Sequence, residues 1–258
     1  MSEPRLWAEL TTPELKVAQE RNAVVLLPVG AVEQHGPHLP VDTDISGAYE
    51  TAKEVSRRRE HVVVAPPVWW GLSGAHRGFH GFLTLKPQTL YSLLEDLCDS
   101  IVDQGFEKVV VVVGHASNKP LVTMLVSQFM ERRGIAIMQL NYLELSREVF
   151  QAIRKSGPGG DAHAGELETS VQMHLRPGRV ELDGVPVRYL DPVAHFGHSA
   201  ALKDIFGPGQ IAIGYDLTAS FPDGVMGDPS VASAETGARV WEAIVTRACD
   251  LVDEYWRA

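Results

Sequence analysis

Ala23-Val24-Val25-Leu26-Leu27 is an apolar run with no polar side, the pattern of a strand buried on both faces. It leads directly into Pro28-Val29-Gly30-Ala31-Val32-Glu33-Gln34-His35-Gly36-Pro37-His38-Leu39-Pro40-Val41-Asp42-Thr43-Asp44. A carboxylate, an imidazole and a second carboxylate thus stand in a Gly/Pro-punctuated loop at the C-terminal end of a strand, where open α/β sheets place their chemistry. A second strand pattern, Val109 to Val113, ends the same way, in Gly114-His115-Ala116-Ser117-Asn118. Two strand ends that each deliver His beside Glu, Asp or Asn point to a metal site shared between loops.

Strand and helix patterns alternate through the first two-thirds of the chain. After Val24 to Val29 the spacing predicts a helix from Ser46 to Arg58, a strand from His61 to Ala65 and a helix from Thr89 to Gln104. Beyond the Val109 strand come a helix from Lys119 to Arg133, closed by Gly134, and a strand from Ile135 to Leu140. This is one α/β domain over residues 1–258, built from βαβ units. Further on, Ser156 to Asp161 reads as a flexible loop opening into a helix from His163 to Val171. Residues 176–230 are rich in Gly, Pro and Asp and predict loops and short strands, and Ala232 to Tyr255 predicts a long amphipathic helix.

The formal net charge of -10 argues against a nucleic-acid surface, since such domains are usually basic. No apolar run approaches the ~20 residues that span a bilayer, and no signal-peptide pattern opens the chain, so a cytoplasmic, soluble protein is expected. Cys98 and Cys249 lie in helical patterns and read as buried small hydrophobes rather than a disulfide. No phosphate-binding loop, nucleophile elbow or G-x-G-x-x-G turn is present, which disfavours a serine hydrolase or a dinucleotide enzyme.

Glu33 and His35, two apart on an extended segment, can face one ion. Asp44 can bridge two ions through its two oxygens while capping the helix it leads into, and His115 arrives from the neighbouring strand end. Mixed His and carboxylate ligands suit Zn, Mn or Fe better than Ca or Mg. Two such ions, roughly 3.5–4 Å apart, polarise a carbonyl and generate hydroxide at neutral pH. His38, between Pro37 and Pro40, reads either as a ligand or as a supporting group. His163 and Glu166, three apart on the expected helix, share a face. His163 is placed to protonate a leaving nitrogen, and Glu166 to ligate the second ion or act as base. His76, His80, Ser117, Asn118 and Asp161 are the candidates for contacting substrate, and the loop residues His195 and His198 are further pocket candidates. His61 and His174 read as structural. Trp69 and Trp70 suit either a sugar face or the core.

The segment Leu27 to Asp44 resembles the signature of the creatininase (creatinine amidohydrolase) family. Gly114-His115 with Asn118, His163-Ala164-Gly165-Glu166 with Glu168-Thr169-Ser170, and Gly224-Val225-Met226-Gly227-Asp228-Pro229 follow in that family's order. The resemblance implies a three-layer α/β/α sandwich around a mostly parallel sheet and a dinuclear metal site. By it, Glu33, Asp44 and His115 hold one ion, His35 and Asp44 the other, and His163 is the catalytic or substrate-positioning histidine. It also implies a homo-oligomer, often a hexamer, acting on small cyclic amides, formamides or related carbonyl compounds.

Creatininase itself carries Tyr and a ligating Glu where this chain has Ala116 and Ser117, so Glu166 or water is expected to stand in for that Glu. Its substrate-covering Trp falls near Gly159, and Phe79 to Thr84 replaces a Pro-Gly-Thr segment. A relative of creatininase is therefore expected, hydrolysing an amide or other C–N bond in a small polar substrate, cyclic ones included, with two divalent metal ions. The alternatives are a lactone or C–C bond hydrolase acting on an oxidised sugar or cyclitol, and a peptide-processing or catalytically silent metal-binding partner.

Overall fold

The computed structural model describes residues 2–189 and 217–258. Its centre is a four-stranded parallel sheet of β1 (Val24–Val29), β2 (Val62–Val64), β3 (Lys108–Val113) and β4 (Met138–Asn141), in the order β2-β1-β3-β4. β1 and β3 run in register over their whole length, from Val24 opposite Lys108 to Val29 opposite Val113. Since the chain passes from β1 to β2 on one side and then crosses to β3 on the other, the connections diverge between β1 and β3. That divergence opens a crevice at the carboxyl ends of these two strands.

Alternate side chains of each strand feed two separate cores, as the two-residue period of a strand requires. Val25, Leu27, Val29, Val109, Val111 and Val113 pack against α3 (Pro87–Asp103) and α4 (Lys119–Arg133). Val24, Leu26, Val110 and Val112 pack on the opposite face, together with apolar residues of α2 (Thr43–Arg58), α5 (Arg147–Ile153), α6 (Glu166–Leu175) and α8 (Ala234–Arg257). Three layers, α/β/α, result. α1 (Thr12–Glu20) precedes β1 and opens with a capping box between Thr11 and Glu14. Among the described residues no helix is long and apolar enough to cross a membrane. Both cysteines are buried and unbonded, and burial, with Asp99 adding to it, pushes the Cys98 thiol up to about 12.

The expected helices from residues 46, 89, 119 and 232 are present, shifted by at most three residues at their starts. One expectation is overturned. His163 does not begin a helix: Asp161–His163 is a short strand, β5, paired antiparallel with β6 (Met226–Gly227), and α6 starts only at Glu166. The partner strand lies more than 60 residues on, and Ala164 turns the chain with φ +51, so local periodicity could not reveal the break. His163 and Glu166 therefore do not share a helical face. α1 and α5 are helices that the periodicity reading did not propose. α7 (Leu217–Ser220) is a single turn. His195 and His198 lie outside the described residues.

Candidate metal centre

Two glycines let the strand ends close on α2. A Cβ on Gly30, just past β1, would stand 2.4 Å from Ile45 Cα, and one on Gly114, just past β3, 2.2 Å from Asp44 O. Larger residues at either place would push away the first turn of α2, which carries Asp44. The Gly114 amide also donates to Val29 O at 2.8 Å, continuing the β1–β3 ladder into the loops.

Three groups of buried side chains converge there: Glu33, Asp44 and His115; His35, Asp44 and Glu168; and Glu33, His35 and His163. Within each group the potential ligand atoms all lie within 4.8 Å of one another. Asp44 belongs to the first two and faces them with different oxygens: Oδ1 is 3.2 Å from His35 Nε2, and Oδ2 is 2.9 Å from His115 Nδ1. The other ring nitrogens are held by backbone carbonyls. His35 Nδ1 is 3.2 Å from Glu33 O and His115 Nε2 is 3.3 Å from Leu72 O. His115 Nε2 is also 3.3 Å from Glu33 Oε2. In the neutral form of each ring this pattern favours the proton on the carbonyl-facing nitrogen and frees the inward nitrogen to ligate, the usual outer support of a ligating imidazole.

The cluster has a deficit of hydrogen bonds to its carboxylates. Both Glu33 oxygens and Asp44 Oδ2 are buried without a hydrogen bond, which is costly for carboxylates unless a cation completes them. The protonation equilibria respond to the same deficit. Burial opposes charge on His35, yet Asp44, Glu168 and Glu33 outweigh it and raise this imidazole to about 10. Burial likewise opposes charge on His115, and Glu33 with Asp44 lifts it to about 9. Burial, and then the neighbouring Asp44 and Glu33 against the pull of His35, raises Glu168 to about 7. Asp44 is held well below the carboxylate range, since His35 and His115 overcome its burial. The donor set of mixed His and carboxylate and the orphaned oxygens both fit divalent ions such as Zn, Mn or Fe.

His163 sits on the edge of the cluster. Its Nε2 is 2.8 Å from Gln34 O, so this nitrogen donates, and Nδ1 is turned inward, 4.0 Å from Glu33 Oε1. Burial, reinforced by the charge favoured on His35, lowers it to about 3, so the ring is neutral. His76 contributes Nε2 at 3.2 Å from Glu33 Oε1, and its Nδ1 is 3.1 Å from Gln34 Nε2. A cavity of about 220 Å3 lies over these groups, lined also by Ser117, Lys119, Tyr142 and Glu144.

Several expected roles change. Glu166 is buried but turned away from the cluster: its carboxylate accepts from the amides of Lys155, at 2.9 and 3.0 Å, and Ser156, at 2.7 Å. Glu168 takes the place at the cluster, held by the Ala164 amide at 2.6 Å. Residues two apart on a helix point to roughly opposite sides, so only one of the two glutamates can face the ions. That rule was available from the sequence; which glutamate faces inward was not. Asp44 lies in the first turn of α2 but does not cap it, both oxygens being turned to the imidazoles.

Asn118 is fully buried, and its amide links Gly30 O, at 2.8 Å, to the Leu72 amide, at 2.9 Å, so it braces the loops instead of facing the cavity. Asp161 accepts from the Leu167 amide at 2.9 Å and supports the start of α6. His80 is exposed and does not line the cavity, whereas His76 and Ser117 do. His38 supports the site, 2.9 Å from Thr169 Oγ1, and burial with the charge on His35 lowers it to about 4. Trp69 and Trp70 are neither core nor cavity residues but stand about half exposed. His61 stacks on Trp256 with ring centres 4.1 Å apart, a structural contact, and His174 is exposed on α6.

Comparison with known proteins extends this picture. The family model described as creatininase, creatinine amidohydrolase, matches residues 8–252. The mycofactocin precursor peptide peptidase of Mycolicibacterium smegmatis is 32% identical over 243 residues, covering 90% of this chain and 85% of that protein. The 3-dehydro-scyllo-inosose hydrolase of Thermotoga maritima is 25% identical, covering 92% of this chain and 78% of its own. The creatinine amidohydrolase of Pseudomonas putida is 27% identical and covers 98% of both. Among solved structures, a creatininase crystal structure superposes with a TM-score of 0.82 at 22% identity, covering all of both chains. A variant creatininase of Zn–Zn type and a manganese creatininase each reach 0.81, at 24% and 23% identity, with 99% or more of both chains covered.

Proposed function

This chain belongs to the creatininase (creatinine amidohydrolase) family of hydrolases, and we propose that it is a two-metal hydrolase of a C–N bond in a small polar amide. The observation that carries the reading is Asp44, one carboxylate shared between two ligand groups, each oxygen turned to a different imidazole. In this reading Glu33, Asp44 and His115 hold one divalent ion, and His35, Asp44 and Glu168 the other. Bound there, the ions supply Lewis acidity to the scissile carbonyl and a nucleophilic water at neutral pH.

The protein's own groups then handle position and protons. His163, neutral and with Nδ1 inward, accepts a proton at that atom as water adds to the carbonyl. It returns the proton to the leaving nitrogen as the C–N bond breaks, so the added water ends divided between acid and amine. Gln34 O holds the opposite nitrogen of His163 and fixes the ring in this tautomer. His76 Nε2 beside Glu33 Oε1 steadies that carboxylate against rotation. The cavity volume, about 220 Å3, admits a small acyl or amine portion and not a folded chain.

A second reading places the same bond at the end of a peptide, favoured by the peptidase name of the 32% identical relative. A screen of the zinc- and manganese-loaded protein against small amides, formamides, short peptides and lactones tests both. Amine release from a small amide, abolished in Asp44→Ala, supports the leading reading. Turnover of peptides alone moves the assignment to the second, and turnover of lactones alone overturns both.

A further inference from the structure

The cavity over the metal centre is walled by carboxylates, imidazoles and apolar groups, and among the described residues Lys119 is the only lysine or arginine that lines it. Lys119 opens α4, four residues after His115, and lines the same cavity as that proposed metal ligand. We propose that Lys119 is a substrate-recognition residue, whose ammonium binds a carboxylate carried by the amide substrate. The inference deepens the two-metal hydrolase reading and rests on it.

The local ion pairing supports the assignment. Lys119 Nζ pairs with Glu144 Oε1, so a carboxylate already fits against this ammonium at the cavity wall. The side chains are 40% and 35% exposed, and an ion pair this open to solvent is weak. Glu144 does not depend on Lys119 alone: its Oε2 is 3.3 Å from Arg147 Nη2. When Lys119 turns to an incoming carboxylate, Glu144 keeps its arginine, and no buried charge is stranded. Exchange of one carboxylate for another on Lys119 is therefore inexpensive. A lysine is suited to this as a flexible point charge that adapts to carboxylates at different distances.

The test uses the zinc-loaded full chain and metal-binding probes in place of the unidentified substrate. The monohydroxamates of malonic, succinic and glutaric acid each carry a free carboxylate at a different distance, and their methyl esters lack the charge. Binding is measured by calorimetry for the wild type, Lys119→Met and Lys119→Arg. At least one acid is expected to bind about ten-fold or more tightly than its own ester to the wild type. That ratio falls to within about two-fold in Lys119→Met and is retained in large part by Lys119→Arg. Equal affinities for every acid and ester in the wild type overturn the inference, as does a ratio that survives in Lys119→Met. A parallel loss of acid and ester affinity in Lys119→Met, with a lower melting temperature, makes Lys119 a latch between α4 and the Glu144 turn and overturns it too. Failure of every probe to bind, esters included, defeats the metal-site reading itself and takes this inference with it.

Discussion

At the ends of β1 and β3 the backbone decides where the side chains go, whereas between β5 and α6 the decision falls to contacts made far along the chain. Glu33, His35 and His115 follow strands whose register is locked from Val24–Lys108 to Val29–Val113, and glycines at 30 and 114 bring α2 and Asp44 against them. At the second region His163 is set by pairing with Met226, Ala164 adopts a left-handed φ of +51, and Glu166 is captured by the amides of Lys155 and Ser156. The strand ends place the proposed ligands on regular structure. The turn into α6 places the proposed proton carrier and the proposed ligand Glu168 through a conformation costing about 1–2 kcal/mol for a residue with a Cβ. The first set is held by sheet register, the second by a strained turn fixed through tertiary contacts.

The contrast breaks most severely at Asp44. Asp44→Ala removes the one carboxylate shared by both ligand groups, and both ions are expected to be lost with a fall in turnover of about 10^4-fold or more, read by metal analysis and a rate assay. If His163 belongs to the turn as a proton carrier, His163→Asn keeps the bound metal and lowers kcat about 10^2–10^4-fold with a smaller change in KM. Loss of metal in that variant would instead make His163 a ligand with Glu33 and His35.

Two smaller effects sharpen the comparison. Glu166→Gln is expected to cost about 1–3 kcal/mol of stability, since it weakens charge-assisted bonds to two backbone amides, while metal content and kcat hold; denaturant melts and metal analysis check this. The strand-end imidazoles give the pH dependence. Metal-free His35 and His115 have raised pKa values of about 10 and about 9, so their contribution to stability is fully present below about pH 6.5 and is lost as pH rises through 9 and 10. Zinc competes for the same lone pairs. Its affinity should increase from pH 6 toward pH 9, and binding at pH 7 should release about one to two protons, measured by calorimetry in buffers of different ionisation enthalpy.

The sequence made the strand ends legible because an apolar run, a glycine and a His or Glu are adjacent along the chain. β1 was bounded to the residue at Val24 and Val29, and α4 at Lys119 and Arg133, since Val-rich runs and a C-terminal glycine mark such edges locally. The turn into α6 was not legible in the same way. Its motif was visible as His163-Ala164-Gly165-Glu166-Leu167-Glu168, but seven successive residues of α6, Glu166 to Gln172, are buried, so no polar face marks which glutamate looks inward. The captor of Glu166 lies at residues 155 and 156 and the partner of His163 at 226, beyond the reach of any short-range pattern. Asn118 belongs to the legible motif at the end of β3, but its role as a brace was not legible, because its buried amide bonds to loops 46 and 88 positions away.

The most direct test of the account is zinc per chain after reconstitution and removal of free metal, measured in parallel on the wild type, Glu168→Gln and Glu166→Gln. About two ions are expected in the wild type and in Glu166→Gln, and about one in Glu168→Gln. Two ions retained in Glu168→Gln, or one lost in Glu166→Gln, would contradict the assignment of the second metal position.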